Sequence, residues 1–125
     1  MSFNWSDFLT LAASLQTAPA LPGPEEAALR TAISRAYYAA FRSALDLAES
    51  REGYQPRHTG EDQRRVIAHY SGCADKTHHK VATTLDRLRA NRRKADYDDT
   101  IGNLPNTAAA SVQMAGKVLS LLNTI

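Results

Sequence analysis

The sequence predicts an all-α protein, an up-and-down bundle of four or five helices, and three observations predict it. Apolar residues recur at three- and four-residue spacing along most of the chain. No segment alternates polar and apolar in the manner of a strand, and no internal repeat is visible. Clusters of proline or glycine fall between the periodic stretches: Pro19 to Pro24, Gly53, Ser71-Gly72 and Gly102 to Pro105.

Each helix has its own signal. Trp5, Phe8, Ala12 and Leu15 make one apolar stripe on a first helix. Pro19, Pro22, Gly23 and Pro24 then break the chain, and Pro24-Glu25-Glu26 suits the first turn and the positive end of a second. That helix is expected to run to about Glu52, with Gly53 as its stop. Leu29, Ile33, Ala36, Tyr37, Ala40, Ala44 and Leu47 give it a main apolar face; Ala28, Ala32 and Ala39 add a small-residue face beside Arg35. A helix apolar on two sides belongs at the centre. Thr59 with Asp62 resembles a capping box and opens a third helix to about Tyr70. A fourth starts near Asp75 with Val81, Leu85 and Leu88, and Asn106 is placed to cap a fifth bearing Val112, Ala115, Leu119 and Leu122.

Size and composition fit one domain over residues 1–125 with an ordinary core. The net charge of +2 does not by itself call for nucleic acid. Its distribution says more: Arg87, Arg89, Arg92, Arg93 and Lys94 fall within eight residues, beside one acid, Asp86. The single cysteine, Cys73, rules out an intrachain disulfide and fits a reducing compartment. No apolar run approaches the roughly 20 residues of a membrane span. Leu9 to Ala20 carries small residues at Ala18 and Ala20 but lacks the basic start of a secretion signal. A cytoplasmic protein without a membrane association is the expectation.

The most informative irregularity lies in the fourth helix. His78, Val81, Leu85, Leu88, Arg89, Arg92 and Asp96 share one side at 100° per residue. Its first half is apolar and its second half charged, so inward-pointing charges there must be paired, solvated or bound to a ligand. Arg92 and Asp96, four apart, can pair; Arg35 is the other candidate partner for Asp96. Either this pair closes one end of the bundle, or the arginines hold RNA phosphate.

Ile33-Ser34-Arg35-Ala36-Tyr37-Tyr38-Ala39-Ala40-Phe41 resembles the helix motif of the HEPN superfamily, in particular its small stand-alone bacterial and archaeal branch. Leu88-Arg89-Ala90-Asn91-Arg92-Arg93-Lys94-Ala95-Asp96-Tyr97 is similar to that branch's leucine–arginine–alanine–aspartate–tyrosine signature, in the expected order. The resemblance covers the chain from Phe8 to the last helix. It implies a bundle that dimerises, a nucleotidyltransferase-type antitoxin as partner of a toxin-like chain, and RNA as ligand. It also implies, for active members, metal-independent endoribonuclease chemistry from an arginine followed after four to six residues by a histidine. On that pattern the catalytic candidates are Arg89, Arg92 and Asp96, and the RNA- or nucleotide-binding candidates Arg35, Arg92, Arg93 and Tyr97. The chain departs from the nuclease pattern at one position: Asp96 stands where the histidine belongs. An aspartate can serve as a base, but as an anion it repels phosphate, and it cannot donate a proton as an imidazolium can.

Arg64 and His69, with four residues between them, match the nuclease spacing literally, but in the third helix, where the family does not place its site. The plainer expectation puts Arg64 outside and His69 partly inside. His58, His69 and His78-His79 raise the question of a metal, but the adjacent pair points to different sides of a helix and no histidine or carboxylate follows it at i+4 on the same face, so no metal and no cofactor is expected. Asp96, Asp98 and Asp99 lack the glycine-bearing loop of a Ca²⁺ site. Tyr37, Tyr38 and Phe41 fit core better than base stacking. The leading expectation is an RNA- or nucleotide-binding HEPN-like protein; the alternative is a non-catalytic interaction module with a structural Arg–Asp pair.

Overall fold

The computed structural model describes residues 3–17 and 25–125. The break at Pro19, Pro22, Gly23 and Pro24, the proline start of the second helix and the small residues Ala18 and Ala20 lie outside the described residues. Five helices form, α1 (Asp7–Thr17), α2 (Glu25–Arg51), α3 (Glu61–Ser71), α4 (Lys76–Tyr97) and α5 (Leu104–Leu122), with no strand among the described residues. None of them is long and apolar enough to cross a membrane.

Helix α2 is the axis of the bundle, and it touches all four others. Ala32, Ala36, Ala39, Ala40, Ala44 and Ala48 are fully buried along it, with Ile33 and Tyr37 beside them. Alanine loses no side-chain entropy on burial and keeps neighbouring backbones close, so one helix can be covered from several sides. Tyr37, Phe41 and Leu45 fill the wider gaps toward Val66, Tyr70, Val81, Leu85, Leu88 and Val118. A smaller cluster of Leu29, Ile33, Ala95, Leu104 and Ala108 closes the end where α2 and α5 begin and α4 stops.

Helix ends follow local chemistry. Gly53 adopts φ +75, a left-handed conformation open to glycine at little cost, and Tyr54 N–H turns back to the Ala48 carbonyl. The Asp75 carboxylate caps α4 by accepting from His78 N–H at 3.1 Å. The start of α5 differs from expectation. It begins at Leu104 behind left-handed Asn103, two residues before Asn106, because Pro105 fits a first turn and Leu104 is drawn into the smaller core cluster.

Chain direction alternates at every connection except one. Trp5 meets Arg42 and Phe8 meets Arg35, so α1 opposes α2. Helix α3 instead runs in the same sense as α2, since Tyr37 meets Gln63 and Ala44 meets Tyr70. The up-and-down expectation is corrected at that one connection: residues 52–60 must return along the bundle before α3 begins.

Asp62 fixes that return. Its buried carboxylate accepts hydrogen bonds from Tyr54 Oη, Arg57 N–H at 3.0 Å and His58 N–H at 2.8 Å, while Arg65 stands 3.4 Å away. Asp62 therefore reaches back toward Thr59 as a capping box requires, and on to Arg57 and His58 before it, while α3 itself begins behind Gly60. Burial alone would raise the Asp62 carboxyl; the bonds from Tyr54 and from the N–H groups of Arg57, His58 and Thr59 outweigh it and bring it down to about 2. Asp62→Ala is expected to lower unfolding free energy by about 2–4 kcal/mol, since it strands buried donors. A carboxyl lowered from 3.8 to about 2 contributes stability that is complete above pH 3.8 and lost as pH falls toward 2. Urea midpoints should therefore fall more steeply below pH 4 in the wild type than in Asp62→Asn; parallel curves would contradict this role.

Candidate functional site

The charged half of the α4 stripe meets α2 and α3 at Arg92. Its guanidinium is buried, donating from Nη1 to Asp96 Oδ2 at 3.3 Å and from Nη2 to Gln63 Oε1 at 3.1 Å. Tyr37 Oη donates to the same Gln63 oxygen at 2.8 Å. The rings of Tyr37 and Tyr38 face the guanidinium at 5.4 and 5.8 Å. Burial works against the Arg92 charge, but Tyr38, Asp96 and Tyr37 strengthen it. Burial likewise drives the Tyr37 hydroxyl well above its ordinary range, although Arg92 and Arg89 pull it down. Arg92 is thus the centre of a closed network joining three helices.

The other sequence candidates separate into inner and outer groups. Arg35 and Asp96 line one open cleft between α2 and α4, with Arg30, Thr31, Ser34 and Ala95. They do not form an ion pair, so Asp96 takes Arg92 and not Arg35 as its partner. Arg35 instead lies over the rings of Phe8 and Tyr38, at 4.7 and 5.1 Å. Arg89 is half-buried; its Nε is buried with no hydrogen-bond partner among the described residues, and no carboxylate pairs with the side chain there. Arg93 and Tyr97 are exposed, Tyr97 by 74%, and neither has a described contact with this network.

One contributor escaped sequence reasoning. Arg30 donates to the carbonyls of Ala95 at 2.9 Å, Asp98 at 2.6 Å and Asp99 at 3.1 Å, which places a cation on the negative end of α4 and holds the cleft's rim. No residue in its own segment signals this contact, because its partners are backbone atoms 65–69 positions away.

Chemically, the region combines the guanidiniums of Arg35, Arg89 and Arg92 with two tyrosines and the Asp96 carboxylate, while Arg30 on the cleft's rim pairs with Glu26 at 3.4 Å. That excess of fixed donors suits an oxyanion such as phosphate. Acid–base work by an imidazole has no group to perform it here. The described histidine contacts lie elsewhere, and His78 precedes Arg92 by fourteen residues on α4, about 21 Å at 1.5 Å per residue.

At that far end a second cluster gathers from three segments. His69 Nε2 donates to Glu52 Oε1 at 2.8 Å and His78 Nε2 to Glu52 Oε2 at 2.6 Å. His78 Nδ1 stands 2.6 Å from Asp75 Oδ1, at ion-pair distance but out of line for a hydrogen bond. Tyr70 stacks on His78, and Cys73 Sγ contacts the His69 carbonyl at 3.4 Å. Burial tends to raise the Glu52 carboxyl, yet hydrogen bonds from His69 and His78 bring it below its usual range. Desolvation opposes protonation of His78, and Asp75 and Glu52 more than reverse it. Arg64 is exposed while His69 turns inward to Glu52, so the two do not converge.

Replacing Arg92 removes its bonds to Gln63 and Asp96 and its contacts with two rings, whereas Arg35 surrenders mainly cation–π contacts and Arg89 stem packing. Arg92→Ala is expected to cost about 2–3 kcal/mol, and Arg35→Ala or Arg89→Ala less than about 1.5 kcal/mol, in urea unfolding. Equal costs for all three would refute the division into inner and outer arginines. Comparison with protein-family models, curated proteins and solved structures gives no match to this chain.

Proposed function

We propose that this chain is a HEPN-like protein that binds RNA through its phosphates with Arg35, at the cleft between α2 and α4, and with Arg89 farther back along α4, Arg92 being the buried support between the helices. The single observation that carries this reading is the imbalance of charge around Tyr37 and Tyr38: Arg35 and Arg92 lie against the rings and Arg89 acts on Tyr37, while Asp96, the carboxylate paired there, is held by Arg92. An anion supplied from outside would complete it. The half-buried Tyr38 ring between Arg35 and Arg92 leaves an aromatic surface beside the phosphate position.

The reading is binding without family-type cleavage. Asp96 is committed to Arg92, and no described histidine stands beside them. The partners implied by the resemblance, a second copy of the chain and a nucleotidyltransferase-type antitoxin, belong to the same proposal. Burial of Arg92 also favours a second reading, a non-catalytic interaction module whose Arg92–Asp96 pair is structural.

Fluorescence anisotropy with a labelled single-stranded RNA tests the proposal. The Arg35→Ala/Arg89→Ala double variant should bind at least about tenfold more weakly, and its salt dependence should flatten by about 1.4 in logarithmic slope. Light scattering should give the mass of a dimer. RNA incubated with excess protein in chelator should stay intact. Cleavage lost in Asp96→Ala would overturn the non-catalytic part, and no RNA binding at low salt would leave the interaction module as the function.

A further inference from the structure

We propose that Glu52, His69 and Cys73 form a binding site for a zinc-class divalent cation, with His78 holding the carboxylate in place. The site lies at the opposite end of α4 from the arginine cleft and does not depend on RNA binding.

Placement comes first. Glu52 Oε1, His69 Nε2 and Cys73 Sγ, or the equivalent donor atom of each side chain, lie within 4.8 Å of one another. Donors on a tetrahedral zinc stand roughly 3.4–3.7 Å apart at bond lengths of about 2.0–2.3 Å. The His69–Glu52 pair, now 2.8 Å apart, has to open by about half an ångström, and the distances to Cys73 have at most little more than an ångström to close, which side-chain rotation supplies without moving a helix. Separate segments bring the donors together. Glu52 sits just past α2, where left-handed Gly53 turns the chain away; His69 is on the last turn of α3; Cys73 follows in the turn to α4. His69 and Cys73 are four residues apart, and the Cys73 Sγ contact with the His69 carbonyl holds both on one side of that turn.

The donor set selects the ion. A thiolate, an imidazole and one carboxylate match zinc and its neighbours, whereas Ca²⁺ and Mg²⁺ require oxygen ligands. Three protein ligands leave a fourth tetrahedral position for water. Partial burial suits binding: Glu52 and His69 retain 20% and 19% side-chain exposure, so an ion can enter while the ligands remain ordered.

His78 gives the site its outer support. It donates from Nε2 to Glu52 Oε2 at 2.6 Å, which aims Oε1 toward His69 and Cys73. Asp75 stands against the other ring nitrogen at 2.6 Å, and Tyr70 stacks on the ring. Hydrogen-bonded carboxylate ligands of this kind are a general feature of metal sites. On binding, the metal replaces the hydrogen that His69 Nε2 shares with Glu52; the imidazole proton then resides on Nδ1. Cys73 gives up its thiol proton to solvent.

The test uses tag-free full-length protein, stripped with chelator, desalted under reductant and titrated with Zn²⁺ by calorimetry. One ion per chain is expected, with Kd below about 1 μM. Co²⁺ should give an intense near-ultraviolet thiolate-to-metal band together with tetrahedral visible bands. Cys73→Ser should abolish the near-ultraviolet band with helical circular dichroism unchanged, and Glu52→Gln should weaken Zn²⁺ binding even if the histidine variants misfold. His78→Gln should weaken it about 10–100-fold while keeping the thiolate band. His58→Ala should bind as the wild type. Absence of the thiolate band in wild-type protein, or Zn²⁺ affinity unchanged in both Cys73→Ser and Glu52→Gln, would overturn the assignment.

Discussion

Helix α2 is surrounded, and most of the structure follows from that. A helix that packs against four neighbours has little surface to give to polar groups, so its middle is alanine with a few large apolar residues. Close packing at native density leaves no room on its covered faces for a solvated charge, and Arg42 and Asp46 stand on the side left open. Polar chemistry is driven to the two ends of the α2–α4 pair. At one end Arg35, Arg89, Arg92 and Asp96 meet the tyrosines; at the other Glu52 meets His69 and His78. The antiparallel run of α2 and α4 ties these ends to opposite tips of one helix pair.

Within the arginine end, burial separates support from availability. Arg92 spends its donors on Gln63 and Asp96 and its faces on two aromatic rings, so it fixes α3 and α4 against α2. Arg35 and Arg89 lack carboxylate partners among the described residues and carry the local excess of positive charge. The same residue types in one patch therefore do different things, and environment alone distinguishes them.

Much of this was legible in the sequence, and the rest had physical reasons for being hidden. Three-and-four periodicity located four of the helices and a capping-box pattern the third, and Gly53 and Asp75 marked real ends because they act through local backbone geometry. The inward turn of Arg92 and its pairing with Asp96 followed from helix geometry within one element. Arg30 was invisible because it binds carbonyl groups, which every residue has. Glu52 was overlooked because its partners come from two other segments, and only folding brings them together. His69 and Cys73, four apart, are the trace of that cluster in the sequence, and a thiol with one histidine carries little signal without the distant carboxylate. The same-sense run of α2 and α3 depends on Asp62 gripping a loop, a long-range outcome that hydrophobic patterning does not encode.

A basic groove lined by Lys76, Lys80, Arg87 and Lys117 offers RNA a competing surface on the outer side of α4. The most direct measurement of where phosphate binds is an NMR titration of arginine side-chain Nε–H resonances with short RNA. The account predicts saturable shifts at Arg35 and Arg89, with Arg92 nearly still because its guanidinium is buried and both its Nη groups already bind Asp96 and Gln63. Shifts confined to Arg87, with Arg35 and Arg89 unmoved at saturation, would contradict it.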